Sequence, residues 1–481
     1  MRHTRTAALT ALAAQTALLV PLLVGPTAAQ AADHVSSTDA PPTEYTGEIE
    51  GADYRVLVPE DWNGTLLLYS HGNYPSEFFG EMPVPHLLAN QPATEAALTD
   101  RGYALAASLF QGGGLDFTVP TAVGDQSRLL DWFERNVGEP ERTFTTGSSM
   151  GAVTAIKHAE VEPDRIDGVL TIGGAIDVVG MLDTVLDVNL ATKVLLTDGT
   201  DAGGEPIELV HPSDPMASRT ALADALTAAA ETPEGRARIA LIASLNNISG
   251  WYDVTQPEPD DLEDWINGQA QWLIWAYSVG LGPTARVDWE AKLGGNASSS
   301  FDGSWAHRLV RSGDLREVRA AYAAASEADL SADLAALAAE PVIEADPDAQ
   351  ANLVRHRPEG TTPSPVLTLH TTGDGGAPPS YERSFGDRVA EVGDRERYRS
   401  VYVERGAHLT LSVAEELVAL RALERRVDTG HWPSLSPRHL NRAAWQLGPD
   451  YFGIFDPVSG VSDHEPAFTH FVPPRAARPS W

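Results

Sequence analysis

The 481-residue sequence contains no cysteine. That excludes thiol nucleophiles, thiolate metal ligands and disulfides, and leaves the fold to be held by its own core, which a chain this long can bury. Lysine is nearly as scarce: Lys157, Lys193 and Lys292 are the only three, and 34 Lys+Arg face 67 Asp+Glu for a formal net charge of −33. So acidic a surface repels phosphate backbones and anionic lipid headgroups unless a local basic patch intervenes, and no basic run stands out, which argues against nucleic acid as a partner. Long apolar runs are missing beyond the first 31 residues, so no later membrane span is expected. Histidines and aspartates are scattered without metal-ligand spacing, so neither a metal nor another cofactor is expected. The acidity by itself reads as solubility. The sequence does not indicate an oligomeric state.

The remaining composition, 43% hydrophobic and 21% charged, is ordinary for a folded chain. Residues 1–31 read as an export signal: Arg2 and Arg5 form a positive start, residues 7–25 are mostly Ala, Leu and Val, and Ala29-Gln30-Ala31 has the small-x-small pattern that precedes a cleavage site. Cutting near Ala31 makes the expected protein a secreted one and takes away two positive charges and no negative ones, deepening the net charge from −33 to −35.

Residues 45–58 alternate like a strand, and Asn63-Gly64 separates them from the apolar run Thr65–Ser70, which predicts a hairpin and an antiparallel opening to the sheet. Strand-like segments at 103–109, 143–147 and 167–173 then alternate with helical ones at 121–137 and 150–160, the rhythm of a mostly parallel sheet covered on both faces. From 179 to 361 the pattern turns helical, at 217–230, 233–246, 262–278, 314–326 and 330–340, and reads as an insertion. Strand and helix then resume at 365–370, 380–392, 398–403 and 413–427. Residues 431–481 show no periodicity and read as an extended tail packed on the domain.

One sequence carries chemistry. Gly147-Ser148-Ser149-Met150-Gly151 matches G-x-S-x-G, between a strand-like and a helical segment. A serine on such a turn has its Oγ pushed outward, flanking glycines permit the close approach, and the helix N-terminus aims amides at the same spot. A hydroxyl needs a base to become a nucleophile, and the base needs an orienting acid. Asp374, just beyond the strand-like 365–370, and His408, just beyond 398–403, supply both at the same sheet edge; Asp177 is the substitute acid. In Tyr69-Ser70-His71-Gly72-Asn73, Gly72 lets the backbone turn toward Ser149, so the Asn73 and Met150 amides are the expected oxyanion donors. Ser412 and Glu415 read as a capping box, and His71 and His370 as structural.

This ordered set resembles the α/β-hydrolase superfamily, and within it exported bacterial serine esterases. The resemblance covers residues 45–178 and 362–430. It implies an α/β-hydrolase fold, a Ser149–His408–Asp374 triad, and a cap formed by the insertion 179–361. It implies cleavage of carboxylic esters through an acyl-enzyme; a peptidase or amidase of the same fold, and a non-catalytic binding protein, are the alternatives. Feruloyl-esterase and tannase relatives often carry a cysteine bridge near the triad, which this chain cannot form.

The insertion also holds six of the eleven tryptophans, between Trp251 and Trp305. Trp265, Trp272 and Trp275, spaced by seven and three, fall on one face of a helix. That stripe either packs the cap on the sheet or forms an aromatic wall for an acyl or aryl group.

Overall fold

The computed structural model describes residues 41–74, 85–114, 117–457 and 459–481. The export-signal segment lies outside them. Nine strands form one sheet in the order β1-β2-β4-β3-β5-β6-β7-β8-β11. β1 (Thr43–Ile49) and β2 (Ala52–Val58) pair antiparallel, and β2 pairs antiparallel with β4 (Ala104–Gln111). From β4 through β3 (Thr65–Ser70), β5 (Arg142–Ser148), β6 (Gly168–Ile172), β7 (Val366–Gly373) and β8 (Tyr398–Gly406) every pairing is parallel.

The expected hairpin at Asn63-Gly64 is displaced. The chain reverses one turn earlier, at Glu50 and Gly51, both with positive φ (51° and 87°), and splits the predicted 45–58 strand in two. Asn63-Gly64 is still a turn, closed by the Thr65 N–H donating to Asn63 Oδ1 at 2.9 Å, but it delivers the chain past β4 into the middle of the sheet. All six residues of β3 are buried, which is what a central parallel strand covered on both faces requires. Leu66 and Leu68 pack with Leu129, Phe133 and Ile156 on one face; Leu67 and Tyr69 pack with Leu417, Leu420 and Leu423 on the other.

Between β6 and β7 the chain is helical. It contains the five expected helices and four the periodicity missed: Val178–Leu196, Pro283–Leu293, Trp305–Ser312 and Pro347–His356. Val178–Leu196 is buried almost all round, so it has no polar face to set a 3.6-residue period. Leu182, Val185, Ile239, Ile242, Tyr277 and Trp289 share one core with Met150 and Val153 of the α/β part. Asp187, fully buried, accepts from Arg308 Nη1 at 2.6 Å and Arg478 Nη1 at 2.8 Å, tying this helical region to the C-terminal segment.

The segment 431–481 is not simply extended. It contains the helix Pro437–Trp445, a small antiparallel pair β9 (Gly453–Asp456) and β10 (Gly460–Asp463), and β11 (Phe468–Thr469), which pairs antiparallel with β8. Each element is too short to leave a pattern in the sequence. Glu415, fully buried, holds this segment: it accepts from the Ala467 N–H at 3.0 Å and from Arg405 Nη1 and Nη2 at 2.6 and 3.1 Å. The expected capping box is present as well, with the Glu415 N–H donating to Ser412 Oγ and the Ser412 N–H to Glu415 Oε2.

Replacing Arg405 with Met strands the Glu415 charge among these amides. Chemical denaturation of R405M should show a loss of about 3–5 kcal/mol, and a loss below about 1 kcal/mol would show that the pair is not the anchor.

Candidate active site

Ser149 lies between the end of β5 and the helix Gly151–Val161, with φ of 52°, a left-handed conformation that a non-glycine residue holds only when its surroundings impose it. Three glycines impose it. A Cβ on Gly147 would collide with the Gly151 carbonyl, and one on Gly151 with the carbonyls of Ser70 and His71. A Cβ on Gly72 would stand 2.9 Å from Ser149 Cβ and 3.5 Å from its Oγ, so the loop after β3 lies directly against this serine. The Ser149 N–H donates to the Ile172 carbonyl at 2.9 Å and its own carbonyl accepts from Ala175, pinning the turn to the end of β6. Met150 directly follows Ser149, and Asn73 directly follows the Gly72 that lies against it.

Asp374 follows β7 and is fully buried. Its Oδ1 accepts from the amides of Gly376 and Ala377 at 2.8 and 2.9 Å, and its Oδ2 lies 2.6 Å from His408 Nδ1. With Nδ1 protonated toward the carboxylate, Nε2 is left as the basic nitrogen. His408 sits between Ala407 and Leu409, whose φ values are 61° and 64°; this doubly strained turn carries the imidazole back over the sheet edge. Its Cε1 would lie 3.6 Å from a Cβ on Gly173, so His408 borders the same Ile172–Ala175 turn that pins Ser149. Asp177 is occupied elsewhere: it caps Val178–Leu196 by accepting from the Gly180 N–H at 2.9 Å, and also accepts from the Ser480 N–H and hydroxyl.

His71 and His370 are both buried, and each Nδ1 bonds to a neighbouring carbonyl, of Gly72 and Thr371 respectively. Burial pulls the His71 imidazole down to about 4, so it is neutral at ordinary pH, stacked on Tyr74 with the Phe110 ring tilted against it.

The tryptophan stripe does not form a single wall. The helix carrying Trp265 and Trp272 ends at Trp272 and continues as a π-helical stretch, Leu273–Gly280, whose wider turn leaves Trp275 41% exposed. Trp265 lies against Gly250. Trp272 is buried on the acid-bearing loop, its ring within 2.5 Å of where a Gly375 Cβ would be, and its indole Nε1 has no partner. Two further residues of the helical region hold the same loops. Trp251 fills the space left by Gly373 and Gly406, at the roots of the acid and base loops, and the Tyr277 hydroxyl donates to the Gly375 carbonyl at 3.0 Å. The sequence signal for these contacts was the excess of glycine beside Asp374 and His408, not the tryptophan spacing.

Sequence reading also missed a buried hydrogen-bond chain beneath the site. The Tyr69 hydroxyl donates to Ser148 Oγ at 3.1 Å, and Ser148 Oγ donates to Asn90 Oδ1 at 3.0 Å. Asn90 Nδ2 donates to the Leu409 carbonyl at 3.1 Å and to Glu416 Oε1 at 3.0 Å. Asn90 therefore ties the residue before Ser149 to the residue after His408. Burial pushes the Glu416 carboxyl up to about 7.

The strand order, the strained serine turn after β5 and the aspartate and histidine after β7 and β8 are those of the α/β-hydrolase fold. No protein-family model matches it. The chain is 28% identical over 426 residues to the o-phthalyl amidase of Xanthobacter agilis, covering 84% of this chain and 91% of that protein. It is also similar to two solved structures. Feruloyl esterase B from Aspergillus oryzae is 13% identical with a TM-score of 0.39, covering 80% of each chain. A serine hydrolase from Cycloclasticus zankles is 14% identical with a TM-score of 0.34, covering 81% of this chain and 98% of that one. At these TM-scores the fold assignment rests on the strand order and the serine turn themselves.

Two outcomes test the buried chain. Asn90→Ala should lower kcat for any substrate turned over about 10- to 100-fold with little change in KM, because Asn90 bridges the neighbours of Ser149 and His408 and a misplacement of about 1 Å between reacting groups costs about 100-fold. An unchanged kcat would remove Asn90 from the positioning role. A Glu416 carboxyl held near neutrality when folded keeps its proton while the unfolded chain gives it up, so its contribution to stability falls as pH rises from about 5 to about 7 and is level above. Glu416→Gln still accepts from Asn90 and should melt higher than wild type at about pH 8 but not at about pH 5; parallel melting curves at both would refute this.

Proposed function

We propose that the chain is a secreted serine hydrolase that cleaves carboxylic esters through an acyl-enzyme. The observation that carries this reading is the 2.6 Å contact of His408 Nδ1 with the buried Asp374 carboxylate, at the edge that also holds Ser149 on its left-handed turn. Ser149 Oγ attacks the carbonyl carbon while His408 Nε2 takes its proton. The carbonyl π electrons move onto oxygen, where the Met150 and Asn73 amides stabilise the charge. Collapse re-forms the carbonyl and expels the alcohol, to which His408 returns the proton. Water then attacks the acyl-enzyme with His408 again as base, and release of the acid restores the Ser149 hydroxyl. Asp374 keeps the imidazole in the productive tautomer and stabilises the imidazolium.

The helical region 179–361 serves as the cap in this reading. Trp272, with its free indole N–H against the acid loop, is the member of the predicted stripe best placed to border an aryl or acyl group. Export follows from the N-terminal segment and is consistent with a fold that uses no thiol.

An amide substrate is the second reading, supported by the similarity to an o-phthalyl amidase. The same residues serve; only the leaving group differs, an amine that His408 must protonate as the C–N bond breaks.

A fluorophosphonate probe should label the wild-type protein and not Ser149→Ala, and Ser149→Ala or Asp374→Asn should lower kcat by about 10⁴-fold or more. Equal labelling of Ser149→Ala would end the proposal. Matched phenyl ester and anilide substrates of one aryl acid then separate the two readings, the ester reading requiring the larger kcat/KM for the ester.

A further inference from the structure

Away from the candidate active site, a cavity of about 220 Å³ opens between the helix Trp305–Ser312 and the C-terminal segment around Arg475. Its lining includes Arg308, Arg311, Arg475 and His307 and no acidic residue, in a protein of net charge −33. Ser304, Arg308 and Arg311 recur at helical spacing and so present one face.

The three arginines are not equivalent. Arg308 is buried and its charge is satisfied: Nη1 donates to Asp187, Nε to the Leu245 carbonyl and Nη2 to Asn246 Oδ1, each at 2.6 Å. It forms a fixed floor, lying over the rings of Phe301 and Trp305. Arg311 and Arg475, at the exposed rim, form no ion pair with any described residue. Two guanidinium forks free to close over the mouth match the planar, bidentate acceptor geometry of a carboxylate or phosphate.

One feature narrows the ligand. Leu245, Phe301, Ala476 and Ala477 form apolar wall, which an inorganic anion would leave wet and an organic body would cover.

We infer that this cavity is a binding site for a small organic carboxylate, closed by Arg311 and Arg475 and lined by none of the residues around Ser149. The inference is independent of the proposed hydrolase activity, because none of these residues is assigned a part in it.

Calorimetric titration of the full-length protein with 4-hydroxybenzoate, benzoate and inorganic phosphate tests it. The expected result is saturable one-to-one binding of 4-hydroxybenzoate and of benzoate, and weaker binding of phosphate. The variant Arg311→Ala/Arg475→Ala, at exposed positions, should keep the wild-type melting temperature and bind 4-hydroxybenzoate at least about ten-fold more weakly. Ser149→Ala should bind it as wild type does. The assignment is overturned if no ligand saturates by about 10 mM, if the arginine variant binds as tightly as wild type, if Ser149→Ala alone abolishes binding, or if phosphate binds as well as 4-hydroxybenzoate.

Discussion

The carbonyls of Ser70 and His71 lie so close to Gly151 that no side chain fits between them, and that approach sets the geometry of everything around Ser149. It brings the end of β3 onto the start of the helix after β5. In doing so it places the Gly72 backbone against Ser149 and forces the serine into left-handed φ. Strain of this kind persists only where the surroundings over-determine it. Here they do: Ser149 is bonded to Ile172 and Ala175, Gly147 faces the Gly151 carbonyl, and Ser148 is held from below through Asn90. The position of Ser149 is thus a property of three strand ends rather than of the motif alone.

The same dependence extends into the helical region between β6 and β7. Trp251 occupies the volume that side chains at Gly373 and Gly406 would need, and Trp272 and Tyr277 lie on the Gly375–Gly376 turn whose amide holds Asp374. The loops that carry Asp374 and His408 are therefore shaped by side chains from that region. Residues of the helical region also share a single buried core with Met150 and Val153, so separating the two parts would expose that core and release both loops together.

The placement of Ser149, Asp374 and His408 just past strand ends, of Gly72 against Ser149, and of the parallel part of the sheet was legible because each is a local pattern: a glycine-flanked serine between strand and helix, and polar residues just past apolar runs. The hairpin was misplaced because Thr65–Ser70 was read as the antiparallel partner of residues 45–58, while its uninterrupted burial belongs to the parallel sheet centre. Val178–Leu196 escaped because a helix buried on every side has no amphipathic period. Trp275 was grouped with Trp272 on α-helical spacing that the π-helical stretch breaks. Asn90 and Glu416 could not be found at all: their contacts join residues hundreds of positions apart, and no local spacing encodes them.

Charge followed the same logic at larger scale. Read along the chain, 34 basic residues against 67 acidic ones showed no basic run, which argued against polyanionic partners. Folding nonetheless assembles a local positive surface from Arg308 and Arg311 on one helix and Arg475 more than 160 positions later, while the acids nearest the floor, Asp183 and Asp187, are consumed by Arg308 and Arg478. A strongly acidic protein repels anions at long range, but that repulsion is screened over about 8 Å at physiological ionic strength, whereas two guanidinium groups act at contact distance. Net charge therefore sets what approaches as a polymer, and the cavity sets what can be held as a small molecule. The two statements apply to different length scales and do not conflict.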